Sequence, residues 1–260
     1  MRDYISFSQI NQYCRCGIAY FLKYDEEIDL PASSSLILGK QYHAALEINH
    51  RQKVKTIKDL PLPEMKDFYA SKVEDEFKKE VLLDRDEKSK GKVAVRDNTI
   101  VRGNAGIQVY HEVLAPFLQP MEVEKNFIVQ LDVDLPPLKG IIDLVNIDMS
   151  VVDHKTAAKA PPEGEADNSI QLSAYALGFY SLYGYLPDDL ELQYAIVSEK
   201  GNAKHKVLKT KRTPDQLTRF VERVRRVVDG IRKGVAIPPE QSSWACSYCG
   251  YKNTGDCKIC

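Results

Sequence analysis

The sequence predicts an α/β protein with a central mixed β-sheet flanked by helices, a helical N-terminal part and a cysteine-rich C-terminal tail. Three observations carry this expectation. Helical apolar spacing dominates the first 120 residues, period-two strands follow from about residue 121, and aliphatic residues thin out after Ala236-Ile-Pro-Pro-Glu240. Helices, three strands, a helix, two strands and a helix, in that order, make a layered sandwich. A single domain over residues 1–260 is expected. It divides into a helical part (1–120), a sheet core (121–212), and a last helix with the tail (213–260).

From about Ser35 to Val54, Leu38, Tyr42, Leu46 and Ile48 form an apolar stripe at helical spacing. "PEMKDFYASKVEDEFKKEVLL" and "GNAGIQVYHEVLAPFL" read as two further helices, and "DRDEKSKGK" between them as a charged turn or loop. The period then changes. "MEVEKNFIVQLDV", "LKGIIDLVNI" and "SVVDHKT" read as consecutive strands joined by turns at "DLPP" and "DMS". A helix over about Asp167 to Tyr183 precedes strands near "LELQYAIVSE" and "AKHKVLKT". Thr213-Pro-Asp-Gln216 offers an N-cap, a proline at the first helical position and a reciprocal Gln for the last helix.

The formal charge of −1, with 28% charged residues, fits a soluble globular chain and does not by itself announce a polyanion partner. Charge is nevertheless segregated. Glu199 to Lys233 holds twelve Lys or Arg against four Asp or Glu, and Lys204, Lys206, Lys209, Lys211 and Arg212 form its candidate phosphate-binding surface. A solvated helix face with a hairpin accounts for the same count. No apolar stretch reaches the ~20 residues of a membrane span, and the N-terminus lacks a signal-like segment. No membrane association and a cytoplasmic setting are expected. Six cysteines in that setting read as ligands or thiols rather than structural disulfides.

"GIIDLVNIDMSVVDHKT" places an acid in one apolar run and Asp-X-Lys in the next. Residues two apart on a strand share a face, so Asp153 and Lys155 should project together while the His154 side chain points away. With Asp143 on the neighbouring strand, two acids from strand ends and an ammonium form half of a divalent-cation site. Hard oxygen donors suit Mg²⁺ or Mn²⁺. An exposed hairpin with an Asp–Lys pair is the plain alternative. Gly39, His43 and Glu47 lie at i, i+4 spacing on one helix face, and Gln171 and Tyr175 share a face of the helix after the hairpin.

The ordered set Gly39-x-x-x-His43, Gly140-Ile-Ile-Asp143, Asp153-His154-Lys155-Thr156 and Gln171-Leu-Ser-Ala-Tyr175 resembles the PD-(D/E)XK nucleases of the RecB/AddB-like exonuclease branch, which includes CRISPR-associated nucleases. The resemblance runs from about Phe7 to the C-terminus and implies a restriction-endonuclease-like core. It implies that His43, Asp143, Asp153 and the His154 carbonyl bind Mg²⁺ or Mn²⁺, and that Lys155 is the catalytic lysine. Gln171 and Tyr175 would position the lysine or the DNA backbone, with Glu124 as a supporting acid. The implied reaction is metal-dependent hydrolysis of DNA phosphodiesters at ends or single strands, in recombination, repair or phage DNA metabolism. A catalytically silent DNA-binding or assembly module of the same fold is the alternative. The chain holds no G-x-x-x-x-G-K-[ST], so a helicase or recombination partner would be a separate protein.

In the tail, Cys246-x-x-Cys249 and Cys257-x-x-Cys260 read locally as a zinc site with a short gap. The resemblance implies instead a [4Fe–4S] cluster on Cys16, Cys246, Cys249 and Cys257, with Cys260 as the other choice for the last ligand and Cys14 without a role. Such a cluster would tie the two ends of the chain together.

Overall fold

The computed structural model describes residues 2–259; Cys260, the alternative cluster ligand, lies outside the described residues. A short strand β1 (Ile5–Ser6) leads into helices α1 (Phe7–Arg15) and α2 (Gly17–Tyr24). Helices α3 (Ser34–Thr56), α4 (Leu62–Lys78), α5 (Arg85–Lys90) and α6 (Lys92–Val109) follow. A π turn (Tyr110–Leu114) and a 3₁₀ turn (Ala115–Phe117) close the helical part. Strands β2 (Pro120–Val129), β3 (Leu138–Asn146) and β4 (Val151–Ala157) come next, then α7 (Glu165–Asn168) and α8 (Ile170–Tyr183). The chain ends with β5 (Leu190–Val197), β6 (Ala203–Thr210), α9 (Pro214–Arg232) and the short helices α10 (Trp244–Ser247) and α11 (Gly250–Thr254).

The six strands form one mixed sheet in the order β1-β3-β4-β5-β6, with β2 also paired to β3. Alternation along the strands separates two cores. Val151, Val145 and Leu192 pack on the side of Leu172, Phe179, Phe220 and Val224, the apolar faces of α8 and α9. Val152, Leu144 and Ala195 pack on the other side, against Tyr42, Leu46, Tyr69 and Ile107 of α3, α4 and α6. This is the expected α/β sandwich.

Several boundaries depart from the periodicity reading. The charged segment after α4 is not a loop. Asp84 caps α5, accepting from the Glu87 backbone N–H at 2.8 Å while Glu87 accepts from the Asp84 backbone N–H at 3.0 Å. Helix α6 begins at Lys92, well before Gly103. The expected helix from Asp167 is broken at Ser169, whose hydroxyl accepts from Leu172 N–H at 3.2 Å and caps α8.

Candidate active site

Strands β3 and β4 pair only through Leu144–Val152 and Val145–Val151. Both continue past that point, so Asp143 and Asp153 stand inside the strands rather than at their ends, where the two strands part. In this split a side chain replaces a ladder bond: the His154 backbone N–H donates to Asp143 Oδ2 at 3.3 Å.

Helices on both faces complete the cluster. On α3, Gly39 passes close to β4, where a β-carbon would stand 3.6 Å from Thr156 Oγ1. One turn later His43 Nδ1 lies 3.2 Å from Asp143 Oδ2. From α8, the Tyr175 hydroxyl donates to Asp143 Oδ1 at 2.9 Å, and the Gln171 amide donates to Asp153 Oδ1 at 2.7 Å and to Tyr175 at 2.9 Å. Lys155 Nζ donates to Gln171 Oε1 at 2.7 Å and lies 2.7 Å from Asp153 Oδ2. His43, Asp143, Asp153, Lys155, Gln171 and Tyr175 therefore form one polar cluster with the His154 backbone N–H, and Gly39 lies beside it at Thr156. Glu124 joins them: Val123 and Lys125 pair with Leu144 and Ile142, which sets Glu124 opposite Asp143.

The electrostatics separate the two aspartates. Burial opposes ionisation of Asp143, but the His43 hydrogen bond and charge, with the Lys155 ammonium, outweigh it and hold its carboxyl below the usual range. Asp153 is fully buried, and burial together with the Asp143 charge raises it against the pull of Lys155. Burial also lifts Glu124 to about 7, helped by the charges of Asp143 and Glu47. His43 loses some basicity to burial and more than regains it from Asp143.

His154 turns its ring to the opposite face, as alternation requires. The ring is buried, stacked on His50 at 5.2 Å and edge-on to Tyr110 at 5.6 Å. Burial keeps both imidazoles neutral, His50 at about 3 and His154 well below its ordinary value.

A hard divalent cation suits this donor set in kind: carboxylate oxygens and one imidazole. Asp153 Oδ2 is a buried oxygen without a well-aligned hydrogen bond, although the Lys155 ammonium is close. Among the described residues, however, no three or more His, Cys, Asp or Glu side chains are arranged to hold a metal ion. In this arrangement protein donors occupy the carboxylates.

The cysteines draw the chain ends together. Cys16 and Cys257 share a small apolar cluster with Ala19, Leu22 and Tyr251, against which Cys249 packs. Cys246 is buried. Burial raises the Cys16 thiol; the Ala19 and Ile18 N–H groups oppose this, and the Cys249 and Cys246 charges add to it. Four thiolates suit an iron–sulfur shell in kind, without being arranged as one here. Cys14 is exposed.

Within the basic flank, one residue is placed otherwise than expected. Arg212 is buried: its guanidinium donates to Ser173 Oγ (2.9 Å), Thr210 Oγ1 (3.1 Å) and the carbonyls of Lys211 (3.1 Å), Ala166 (2.8 Å) and Ser169 (2.9 Å). It ties the break between α7 and α8 to β6. Lys206 pairs with Glu163 at 2.8 Å and Lys209 with Glu191 at 2.6 Å, while Lys204, Lys209 and Lys211 remain exposed.

The family description of the PD-(D/E)XK nuclease superfamily matches residues 4–254. The chain belongs to this superfamily. Its mixed sheet between helices is the fold of a PD-(D/E)XK nuclease. No curated protein matches the sequence. Among solved structures, a provisionally assigned exonuclease from Eubacterium rectale is similar over 95% of this chain and 88% of its own, at 11% identity and a TM-score of 0.56, a likeness of fold. The structure of SSO0001 aligns over 92% of both chains at 13% identity, but its TM-score of 0.30 carries no argument. No helix among the described residues of this PD-(D/E)XK nuclease is long and apolar enough to cross a membrane.

Proposed function

We propose that this member is a Mg²⁺- or Mn²⁺-dependent deoxyribonuclease of the RecB/AddB-like branch, acting on DNA ends or single strands in recombination, repair or phage DNA metabolism. The observation that carries the reading is the convergence of Asp143, Asp153 and Lys155 in the β3–β4 split, bridged by Gln171 and Tyr175. A degenerate binding module has no need to keep a buried aspartate, an ammonium beside it and two side chains that orient both.

His43, Asp143, Asp153 and the His154 carbonyl would hold the cation, which supplies Lewis-acid polarisation of the scissile phosphate and a more acidic water. Lys155 does the remaining electrostatic work. Asp153 and Gln171 fix its ammonium, which then faces the charge that grows on the phosphate oxygens without reorganising. Tyr175 and Gln171 hold the carboxylates, and the Phe127 ring lies edge-on to Tyr175 at 6.5 Å. The same reading assigns Cys16, Cys246, Cys249 and Cys257 to a [4Fe–4S] cluster, with zinc on the tail cysteines as its competitor.

The test is digestion of end-labelled single- and double-stranded DNA with Mg²⁺ or Mn²⁺, beside a closed circle. Asp153→Ala and Lys155→Ala should each lose roughly 10²–10³-fold or more in cleavage while retaining DNA binding. Either variant cutting near the wild-type rate overturns the site. Efficient cutting of the closed circle overturns the requirement for ends.

A further inference from the structure

A second basic surface lies apart from the cluster. A cavity of about 530 Å³ opens between the end of α1, the outer face of α9 and the segment Ile237–Pro239, and it shares no lining residue with the catalytic site. Its rim carries Arg15, Arg219, Arg223 and Arg226 against a single acid, Glu222. Glu222 is engaged by Arg226 at 3.2 Å and by Arg225 at 3.5 Å. Arg219 and Arg223, one turn apart and exposed, have no carboxylate partner among the described residues. Val227, Ile237 and Pro238 add apolar lining.

The groove is built, not an accident of a loose tail. Tyr13 donates its hydroxyl to the Val235 carbonyl at 2.7 Å, and the Gly17 N–H donates to the Ile237 carbonyl at 2.9 Å. Gly17 is required there, since a β-carbon would stand 2.8 Å from the Ile237 nitrogen. At the tail side, the Arg15 guanidinium lies 3.9 Å above the ring of Trp244, which is 63% exposed.

We infer that this groove is a second nucleic-acid site, which holds a single DNA strand by its phosphates away from the scissile bond. The inference rests on DNA being the substrate. Unpartnered arginines beside apolar lining match a chain of phosphates with bases that need covering, and the Trp244 face beside Arg15 extends that surface. A duplex offers phosphates but no free base faces for the apolar lining or Trp244, so the unpaired strand is the better fit.

The test measures binding of a fluorescent oligothymidine of about twenty nucleotides, in EDTA so that nothing is cut. Arg219→Glu with Arg223→Glu should weaken binding roughly tenfold or more. It should also make the slope of log affinity against log salt shallower by about 1.4, the loss of two single-strand phosphate contacts. Arg219→Gln with Arg223→Gln, which adds no repulsion, should show the same change of slope with a smaller loss of affinity. Arg219→Lys with Arg223→Lys should retain the slope. Unchanged affinity and slope in the glutamate and glutamine variants, with wild-type melting, overturn the inference whether or not the protein cuts DNA. Arginine-dependent binding that favours a blunt hairpin duplex over the single strand overturns the single-strand assignment. A wild-type protein that shows the expected arginine dependence yet cleaves nothing leaves the groove standing and removes the nuclease reading.

Discussion

Glu124 sits opposite Asp143 with a φ of 51°, in the left-handed region that non-glycine residues seldom occupy. Its carboxyl, raised from 4.5 to about 7, binds a proton more tightly in the folded chain than in the unfolded one. The linked stability is present below about pH 4.5 and is lost as pH rises through 7. Glu124→Gln, which keeps the neutral shape, should therefore melt like the wild type at pH 4. At pH 8 without divalent cations it should melt on the order of a degree or two higher, the effect being tempered by solvent exposure. Equal melting temperatures at both pH values would remove Glu124 from the electrostatics of the site. The residues of the proposed site could be placed one by one because their signals are local. Alternation pairs Asp153 with Lys155 and turns His154 away, and i, i+4 spacing pairs Gln171 with Tyr175. Arg212 was not legible as a buried residue. Its partners include the Ala166 and Ser169 carbonyls at the break, and composition cannot distinguish an arginine that closes such a gap from one in solvent.

Phe127 explains one motif glycine at the level of elements. Its ring lies across its β3 partner Gly140, where a β-carbon would come within 2.4 Å of it, and a β-carbon on Gly178 of α8 would come within 2.5 Å of the same ring. With glycines on both sides the buried ring has nowhere to go. Gly140→Ala should cost roughly 1–3 kcal/mol by overpacking and should also reduce cleavage, because Phe127 backs the Tyr175 that holds Asp143. Gly39→Ala meets only an ordinary contact 3.6 Å away at Thr156 and should melt within about 1 kcal/mol of the wild type. If the two alanine variants melt together, the ring does not set the spacing of α8 and β3. The strand block was legible because short β-branched runs bounded by turn residues mark strands, although β3, β4 and β5 send successive residues, such as Val151 and Val152, into both cores. The opening between β3 and β4 was not, since alternation says which face of the sheet a residue takes and not where the pairing of two strands ends. Helix α5 was also missed. Its charges read as a loop, although Asp84 and Glu87 spell a reciprocal cap.

Across the whole molecule, the tail is held by more than sulfur. Besides the Tyr13 and Gly17 bonds to residues 235 and 237, the Tyr251 hydroxyl donates to the Ile28 carbonyl at 3.0 Å, so the last helices sit on α2 and the segment after it. The family resemblance implies that Cys16 joins the tail cysteines, and Cys16 and Cys257 do share one apolar cluster beside Cys249; local spacing points instead to a zinc site confined to the tail, because spacing cannot see a partner at the other end of a chain. The two assignments differ in what Cys16 does. Anaerobically purified protein should be brown and contain about four iron and four sulfide per chain. Cys16→Ala should bleach it as fully as Cys249→Ala, because a cluster missing one thiolate is labile, whereas the exposed Cys14 should tolerate alanine. Bleaching should leave residues 235–237 anchored to α1 and α2, so new proteolytic cuts should begin beyond Pro239 rather than in α9. Metal binding at Asp143 and Asp153 should partly survive, since those carboxylates are held by α3 and α8. Colourless protein with stoichiometric zinc, and Cys16→Ala indistinguishable from wild type, would decide for a local tail site. The N-terminal cysteine would then be a packing residue beside α11.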